Sequence, residues 1–378
     1  MREVERDGMG TGGNDALSLS YEEWRGRMAE WGEPGFRADQ ICGWLYGRKV
    51  FNYHEMSNLS KSLRERLSGS LLMPLPVLIR EQESRDGTRK YLWQMTDGER
   101  VESVLLNHGG HTTACISSQV GCPLACTFCA TGSLGFTRNL TPGEILGQFL
   151  MMERRRLDAG AEQGINNIVF MGMGEPLLNA DSVFGSIRML NHPKMRGLGA
   201  RHITISTSGV AQGIVDLADF EIPIRLSVSL HAPNDALRSR LMPINRSCPL
   251  SRLVEALHIY RRRTGERVTI EYALIDGVND APVLSRADVS VSLASAAPLA
   301  QHHADILLLS ERLDGLLAAR DAARRALRIV HQNLIFSCLY NVLAIPLAAV
   351  GLVPPWLAGL GMAGSSLVVV LNALRAAR

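Results

Sequence analysis

Three cysteines near the middle of the chain have the spacing with the clearest chemical meaning. Cys122, Cys126 and Cys129 form a C-x3-C-x2-C pattern directly after an apolar, strand-like run. Cysteine thiolates this close together can hold one iron–sulfur cluster. A structural zinc site needs four ligands, and no fourth cysteine or histidine in the loop completes it. The other interpretation, three buried structural thiols, gives no reason for this spacing.

Three protein ligands leave one iron of a four-iron cluster open to a small molecule. An open iron can chelate the amino and carboxylate groups of S-adenosylmethionine, and an electron passed to the sulfonium then yields a 5′-deoxyadenosyl radical. The cysteine pattern therefore predicts a [4Fe–4S] cluster and S-adenosylmethionine as cofactors.

The elements that must position this loop can be predicted from periodicity. Residues 21–70 have helical periodicity, and residues 77–106 alternate as strands around two Asp-Gly turns. Further along, helical stretches such as Pro142–Arg156 and Leu250–Thr264 separate apolar runs typical of strands. The predicted strands are Thr112–Ile116, Asn167–Met171, His202–Ser206, Ile224–Leu230 and Val268–Ile275. This alternation predicts an α/β fold with a parallel sheet or partial barrel, whose chemistry lies at the carboxyl ends of the strands.

Several motifs around the cysteines match one known family in order. An aromatic residue precedes the last cysteine of the triplet. The flanking motifs are Cys115-Ile-Ser-Ser-Gln-Val-Gly-Cys122, Met171-Gly-Met-Gly-Glu-Pro-Leu-Leu-Asn179, Ser229-Leu-His-Ala-Pro-Asn-Asp235, Met242-Pro-Ile-Asn245 and Val268-Thr-Ile-Glu-Tyr272. From about residue 21 to about residue 280 the chain resembles the RlmN/Cfr family of radical S-adenosylmethionine enzymes. These methylate C2 or C8 of an adenosine in RNA, and the motifs look like the C2 branch.

The resemblance implies a role for individual residues. It implies that the three cysteines of the triplet bind the cluster, that Glu102 accepts a proton, and that Cys115 resolves a protein–RNA crosslink as a thiolate. The residues that it implies for cofactor binding are Gly174, Glu175, Ser206, Ser229, Leu230 and His231. Glycine at 174 lets the backbone approach a ligand closely, and Glu175 can accept from the ammonium of the methionine moiety.

The resemblance also implies partners and an architecture. The partners are 23S rRNA and tRNA as adenosine substrates and an electron donor such as flavodoxin or ferredoxin, with the enzyme core in the cytoplasm. The implied fold class is α/β, an incomplete radical SAM (β/α)6 partial barrel with an N-terminal helical accessory domain. The barrel is expected to be incomplete because the family pattern stops after Asp280, before its last strand.

The methyl-accepting cysteine of the family has no counterpart in this sequence. The family presents that cysteine in a Cys-Gly-Gln context after the last strand, whereas the one cysteine after Asp280 is Cys338, between Ser337 and Leu339. We therefore expect this chain to bind its cofactors but not to complete methyl transfer. A radical enzyme with a different hydrogen-abstraction substrate is an alternative.

The C-terminal part of the chain differs sharply in composition. No Asp, Glu, Lys or Arg occurs from Ile329 to Leu374, and Pro354-Pro355 interrupts this apolar run. A membrane-spanning helix needs roughly 20 apolar residues, so the run predicts a two-helix membrane hairpin. Arginines flank both of its ends, which favours placing both ends in the cytosol. A buried helical pair in a soluble core is the other interpretation.

The segment that joins the two parts resembles a second family. Asp276-Gly-Val-Asn-Asp-Ala-Pro282 and Ala304-Asp-Ile-Leu-Leu-Leu-Ser310 look like the C-terminal end of a heavy-metal P-type ATPase. This predicts a chimera, either an assembly artefact or a true fusion, and a membrane-anchored remnant without catalysis is the alternative function. The expected domains are a leader and helical accessory domain (1–95), the radical SAM partial barrel (96–277), an ATPase-like fragment with a linker helix (278–328) and the transmembrane hairpin (329–378).

The overall composition bounds the class of protein. With 378 residues, 46% hydrophobic and 20% charged, the chain is neither disordered nor a small disulfide-stapled module. Seven cysteines in this length do not form a secreted disulfide framework. The net charge of +3 predicts no strong field for nucleic acid or membranes. The polar, glycine-rich residues 1–20 predict a mobile leader without a signal peptide.

Overall fold

The computed structural model describes residues 14–108, 110–273, 291–293, 306–308, 314–349, 351 and 354–377. The chain divides into two compact units, Met1–Ala273 and Leu274–Arg378. The N-terminal unit contains the cysteine triplet and every residue expected to bind the cofactors.

The N-terminal unit begins with short helices whose ends are capped by side chains. They are α1 (Tyr21–Glu30), α2 (Phe36–Cys42) and α3 (Lys61–Ser70). At the start of α1 the Ser20 hydroxyl accepts from the Glu23 amide at 3.2 Å, and the Glu23 carboxylate accepts from the Ser20 amide at 2.7 Å. This reciprocal capping satisfies two amides that the first helical turn leaves without partners.

The expected mobile leader is wrong for residues 14–20. Ala16 and Leu17 are completely buried, and the Ala16 amide donates to the Leu72 carbonyl at 2.9 Å. The Asp15 carboxylate accepts from the Leu17 amide at 2.9 Å. Two apolar side chains were enough to anchor this segment against the core, although its surroundings in the sequence are polar. Residues 1–13 of the expected leader lie outside the described residues.

A mixed eight-stranded sheet forms the centre of the N-terminal unit. Its strands are β1 (Val77–Glu83), β2 (Arg89–Gln94), β3 (Arg100–His108), β4 (His111–Cys115), β7 (Asn167–Phe170), β8 (Ile203–Thr207), β9 (Arg225–Ser229) and β10 (Val268–Glu271), in the order β1-β2-β3-β4-β7-β8-β9-β10. The first four are antiparallel neighbours, and from β4 onward the pairs are parallel. The two predicted Asp-Gly hairpins are confirmed. Strands β1 and β2 precede residue 95 and β3 follows it, so one sheet spans the boundary expected between domains 1–95 and 96–277.

A second, two-stranded sheet flanks the cysteine triplet. It pairs β5 (Gln119–Gly121) with β6 (Phe136–Asn139) in antiparallel fashion, so that the loop with the cysteines and the short helix α4 (Ala130–Ser133) lies between two paired strands. Gly121 has a φ of +75°, and a Cβ atom there would lie 1.9 Å from the Gly135 carbonyl oxygen. Only glycine permits the two strands to approach this closely.

Helices connect the parallel strands as the alternating pattern predicts. They are α5 (Pro142–Asp158), α6 (Ala180–Asn191), α7 (Ala211–Ala218), α8 (Asp235–Leu241) and α9 (Leu250–Thr264). The bounds predicted for α9 are confirmed, and that helix ends because Gly265 turns to a φ of +70°. The predicted strand Val268–Ile275 ends at Glu271 among the described residues, and Leu274 and Ile275 lie outside them.

In the C-terminal unit, β11 (Val291–Leu293) and β12 (Ile306–Leu308) form a parallel pair. Two helices follow, α10 (Asp314–Ala349) and α11 (Pro355–Ala373), and Asn372 Nδ2 donates to Asn333 Oδ1 at 2.9 Å. The 29-residue segment Arg320–Ala348 is long and apolar enough to cross a membrane, and it is not buried. The apolar segment Gly359–Ala373 is shorter. In the expected ATPase-like fragment 278–328, most of residues 278–313 lie outside the described residues.

A buried ion network attaches the N-terminal helical segment to the sheet layer. Glu153 of α5 is 1% exposed and accepts from Lys49 Nζ at 2.8 Å and from Arg196 Nη2 at 2.6 Å. The Ile165 amide adds a third bond to Glu153 Oε1 at 2.9 Å. One carboxylate therefore joins the segment after α2, helix α5 and the loops before β7 and β8.

We expect Glu153→Ala to lower the free energy of unfolding of the N-terminal unit by about 3–5 kcal/mol, because it leaves two cations inside the protein without their anion. The control is Glu221→Ala. It breaks the pair of Glu221 with Arg188, whose side chains are 57% and 51% exposed, and should cost about 1 kcal/mol or less. Urea unfolding followed by tryptophan fluorescence measures both. Equal midpoints for the two variants would contradict a structural role for the network.

Candidate active site

The carboxyl ends of β7, β8, β9 and β10 border one cavity together with the cysteine loop. All three cysteines of the triplet line it. The other predicted site residues that line it are Gly174, Glu175, Ser206, Ser229 and His231. The fold thus brings to one place residues that are more than one hundred positions apart in the chain.

The cysteine loop is held at both ends by backbone hydrogen bonds. The Cys122 amide donates to the Gly135 carbonyl at 2.8 Å, and the Thr127 amide donates to the Leu241 carbonyl at the end of α8 at 2.9 Å. Cys122, Cys126 and Cys129 are free thiols. Burial raises the pKa of the Cys122 thiol and raises that of Cys126 to about 11. The Cys122 and Cys126 thiols are therefore protonated at neutral pH and must lose their protons when they bind iron.

The donor set fits a cluster better than a single ion. Among the residues that the structure describes, no three histidine, cysteine or acidic side chains converge on one point as a mononuclear metal would require. A [4Fe–4S] cluster does not require that convergence, because each thiolate binds a different iron atom. Three free cysteines on one wall of a cavity are the arrangement that such a cluster needs.

The loop after β7 depends on glycine. Gly174 has a φ of +98°, and a Cβ atom there would lie 2.5 Å from Cβ of Gln119. The next residue, Glu175, is 2% exposed, and its amide donates to the Gln119 side chain at 2.8 Å. The Met171–Asn179 loop therefore packs directly on the strand that leads into the cysteine triplet.

Glu175 has a buried carboxylate with backbone partners. It accepts from the Ser208 amide at 2.7 Å and from the Leu177 amide at 3.2 Å. Burial raises its pKa, and the bonds from Ser208 and Leu177 oppose that shift. A carboxylate has about four acceptor positions, so Glu175 keeps the capacity to bind a further donor in the cavity.

Glu271, at the end of β10, connects β10 to β8 and β9. The sequence does not predict it as a site residue. Its carboxylate accepts from the hydroxyls of Ser227 at 2.6 Å, Ser229 at 3.1 Å and Ser206 at 3.4 Å. Glu271 also lines the cavity. Ser206 and Ser229, expected to bind the cofactor, thus share an anionic partner. The available signal is an acidic residue inside the predicted strand Val268–Ile275, within the motif Val268-Thr-Ile-Glu-Tyr272.

His231 lies just after β9 with a φ of +54°. Its Nδ1 accepts from the Ala273 amide at 3.0 Å, which places the proton of the neutral ring on Nε2. Burial lowers the pKa of His231, and the Glu271 carboxylate opposes that shift. The edge of the ring contacts Phe128 of the cysteine loop, with ring centroids 5.0 Å apart. His231 therefore offers a neutral N–H donor on the cavity wall.

The remaining three predicted residues do not line the cavity. Cys115 ends β4, and burial raises the pKa of its thiol to about 11. Glu102 on β3 forms an ion pair with Lys90 at 2.7 Å and is 43% exposed. The Leu230 amide donates to the Glu271 carbonyl at 2.9 Å. The roles implied for these residues stay predictions.

Comparison with known proteins is consistent with this geometry. Residues 116–288 match the family model of the radical SAM superfamily, and residues 15–72 match that of the ribosomal RNA large subunit methyltransferase N-terminal domain. The chain is 49% identical over 267 residues to a Thermotoga neapolitana protein named "Probable dual-specificity RNA methyltransferase RlmN", a match that covers 70% of this chain and 76% of the relative. This chain belongs to the RlmN family.

Two further relatives support the assignment to the RlmN family. A Petrotoga mobilis protein of the same name is 48% identical over 266 residues, which is 70% of this chain and 75% of the relative. The crystal structure of a radical SAM methyltransferase from Sphaerobacter thermophilus superposes with a TM-score of 0.70 at 37% identity, covering 80% of this chain and 96% of that one. Enzymes of this family use a [4Fe–4S] cluster and S-adenosylmethionine, and the cysteine wall described above fits the cluster.

We expect Gly174→Ala to weaken S-adenosylmethionine binding to the reconstituted RlmN-family chain at least about ten-fold, a change of about 1.4 kcal/mol. The new methyl group would collide with Gln119 and displace the loop that presents Glu175. Gly160→Ala is the matched control, since Gly160 also has a positive φ, +88°, but has open space around it. It should lose only about 1–2 kcal/mol of stability from backbone strain. Unchanged affinity in Gly174→Ala, measured by equilibrium dialysis, would contradict the assignment of this loop.

Proposed function

We propose that this chain is the core of a radical methyltransferase whose target is C2 of adenosine in 23S rRNA and tRNA, working in the cytoplasm with an electron donor such as flavodoxin or ferredoxin. Cys122, Cys126 and Cys129 hold the cluster in this proposal. The observation that carries it is the single cavity shared by those cysteines and the polar groups at the strand ends. The relatives named dual-specificity RNA methyltransferases support RNA as the substrate.

When bound, the cluster and S-adenosylmethionine supply radical chemistry that an ordinary side chain cannot perform. The residues of this chain bind and orient the cofactor. Gly174 lets the backbone come close, Glu175 accepts from the ammonium group, and the Nε2–H of His231 donates. The Glu271 carboxylate keeps the hydroxyls of Ser206 and Ser229 at the cavity wall, and the Glu271 carbonyl fixes the backbone of Leu230.

Glu102 and Cys115 are proposed to act later, as proton acceptor and as the thiol that resolves the crosslink. The raised pKa of Cys115 means that it rests as a thiol at neutral pH. Attack on a crosslink requires the thiolate, so this residue needs a base or a change of surroundings before it reacts.

We further propose that this chain does not complete methyl transfer. The family transfers the methyl group through a cysteine in its C-terminal part. After Asp280 this sequence contains only Cys338, which is exposed on α10 within an apolar run. The matches to these two relatives cover 70% of this chain, and the remainder is not aligned with them.

The test is reconstitution of the full chain with iron and sulfide, followed by two measurements. We expect about four iron atoms per chain in the parent, loss of most of that iron in Cys126→Ser, and none of that loss in Cys338→Ser. With S-adenosylmethionine, a reductant and a 23S rRNA fragment, we expect no C2-methyladenosine by mass spectrometry.

The outcomes of that assay separate the alternatives. Methylation above background would overturn the proposed inactivity and would require another acceptor cysteine. Release of 5′-deoxyadenosine without methylation would favour a radical enzyme with a different hydrogen-abstraction substrate. A parent chain that retains no iron would contradict the cluster site and favour a non-catalytic remnant.

For the rest of the chain we propose the division expected from the sequence, with two changes: residues 14–20 are packed, and strands β1 and β2 of the accessory segment 1–95 belong to the sheet of the partial barrel 96–277, which lacks its last strand. Residues 278–328 are then an ATPase-like fragment with a linker helix, and 329–378 a transmembrane hairpin. The apolar length of Arg320–Ala348 supports the hairpin.

If the hairpin inserts, the full chain should sediment with membranes, resist extraction by alkaline carbonate and dissolve in detergent. Leu343→Asp should shift part of it to the soluble fraction, because an acidic residue at the middle of a span costs about 2.5–3.5 kcal/mol. Leu72→Asp is the control, since Leu72 is 68% exposed in the N-terminal unit. A parent chain that stays soluble without detergent would contradict the hairpin.

A further inference from the structure

Arg238 is a completely buried cation whose hydrogen-bond partners are all neutral. On helix α8, its Nε donates to the Leu230 carbonyl at 3.1 Å and its Nη1 to the Asn245 side-chain oxygen at 3.0 Å. Its Nη2 donates to the carbonyls of Ser208 at 2.6 Å and Ser229 at 3.3 Å. None of the ion pairs among the described residues includes Arg238, and the nearby Asp235 carboxylate accepts from Asn245 and Leu250 instead.

Such a burial is unfavourable unless an anion lies close enough to compensate it. A guanidinium stays protonated at neutral pH even though burial lowers the pKa of Arg238. Carbonyl dipoles satisfy its donors but carry no net charge. The position therefore calls for a negative group that the hydrogen-bond partners do not provide.

The cysteine loop lies directly beyond the end of the same helix. One turn after Arg238, the Leu241 carbonyl accepts from the Thr127 amide at 2.9 Å, and Met242 packs against Cys126. The two carbonyls that accept from Arg238 Nη2 belong to Ser208 and Ser229, and both residues line the same cavity as the three cysteines. Arg238 therefore lies directly behind the wall of the cavity that holds the triplet.

We propose that Arg238 is the counter-charge of the iron–sulfur cluster and that its charge raises the reduction potential of that cluster. Three thiolates outweigh the positive charge of an oxidised cluster core, and reduction adds one more negative charge. A fixed cation nearby stabilises the reduced form more than the oxidised form. Arg238 is a positioning residue in this proposal, since its bonds also fix the ends of β8 and β9 around the cavity. The inference rests on the cluster site proposed above.

The test compares two substitutions that lose similar hydrogen bonds but differ in charge. Arg238→Lys keeps the charge and Arg238→Gln removes it. Arg240→Gln is the matched control, because Arg240 is on the same helix but exposed. The measurement is a redox titration of the reconstituted full chain followed by electron paramagnetic resonance, without S-adenosylmethionine. Iron content and circular dichroism are recorded for each protein.

At the midpoint potential of the parent, we expect the ratio of reduced to oxidised cluster in Arg238→Gln to be about ten-fold lower. For a one-electron couple this corresponds to a reduction potential about 59 mV more negative. The Arg238→Lys and Arg240→Gln variants should stay close to the parent. Loss of iron from Arg238→Gln alone would also support the proposal.

If Arg238→Lys and Arg238→Gln behave alike, the proposed role of the charge is overturned. This holds both if the two variants resemble the parent and if both lose the cluster. A shift in Arg240→Gln as large as that in Arg238→Gln would overturn its specificity. The iron content of the parent chain separately tests the cluster site itself.

Discussion

Two carboxylates lie at the carboxyl ends of the parallel strands, Glu175 buried and Glu271 half-buried, and each has to find partners within the protein. Glu271 satisfies its carboxylate with serine hydroxyls from neighbouring strands, and Glu175 satisfies its own with backbone amides on both sides of its loop. Because an unpartnered buried charge is so unfavourable, these bonds restrict how the strand ends can be arranged. The cavity, its polar wall and the approach of the cysteine loop all follow from that restriction.

Local spacing was sufficient to predict the parts of the site that lie close together in the chain. The cysteine triplet, the glycine-rich loop and helix α9 each have a short-range pattern with a physical cause. Glu271 lacked one, because its serine partners are on strands 42 to 65 positions away in the chain and meet it only in the folded sheet. Arg238 likewise appears in the sequence as one of two basic residues on a short helix. Its complete burial depends on what packs around α8, which periodicity does not report.

The errors at the N-terminus have a similar origin. Low average hydropathy predicted a mobile segment up to Ser20, yet Ala16 and Leu17 fill space in the core, and the Ser18 hydroxyl accepts from the Gly143 amide at 2.9 Å. A Cβ atom on Gly143 would lie 2.1 Å from the Asp15 carboxylate. Close packing of this kind depends on a few residues, so it hardly changes the average composition of the sequence segment around them.

The main sheet ends at β10, which among the described residues has β9 as its single neighbour. The opposite edge, β1, carries charged side chains such as Arg80, Glu81 and Glu83, which discourage another strand from pairing with it. Strand β10 begins Val268-Thr-Ile instead, and Ile270 is 45% exposed. Within the part of the chain that the structure describes, no strand pairs with the outer side of β10, and an unpaired strand edge is a template for strand addition.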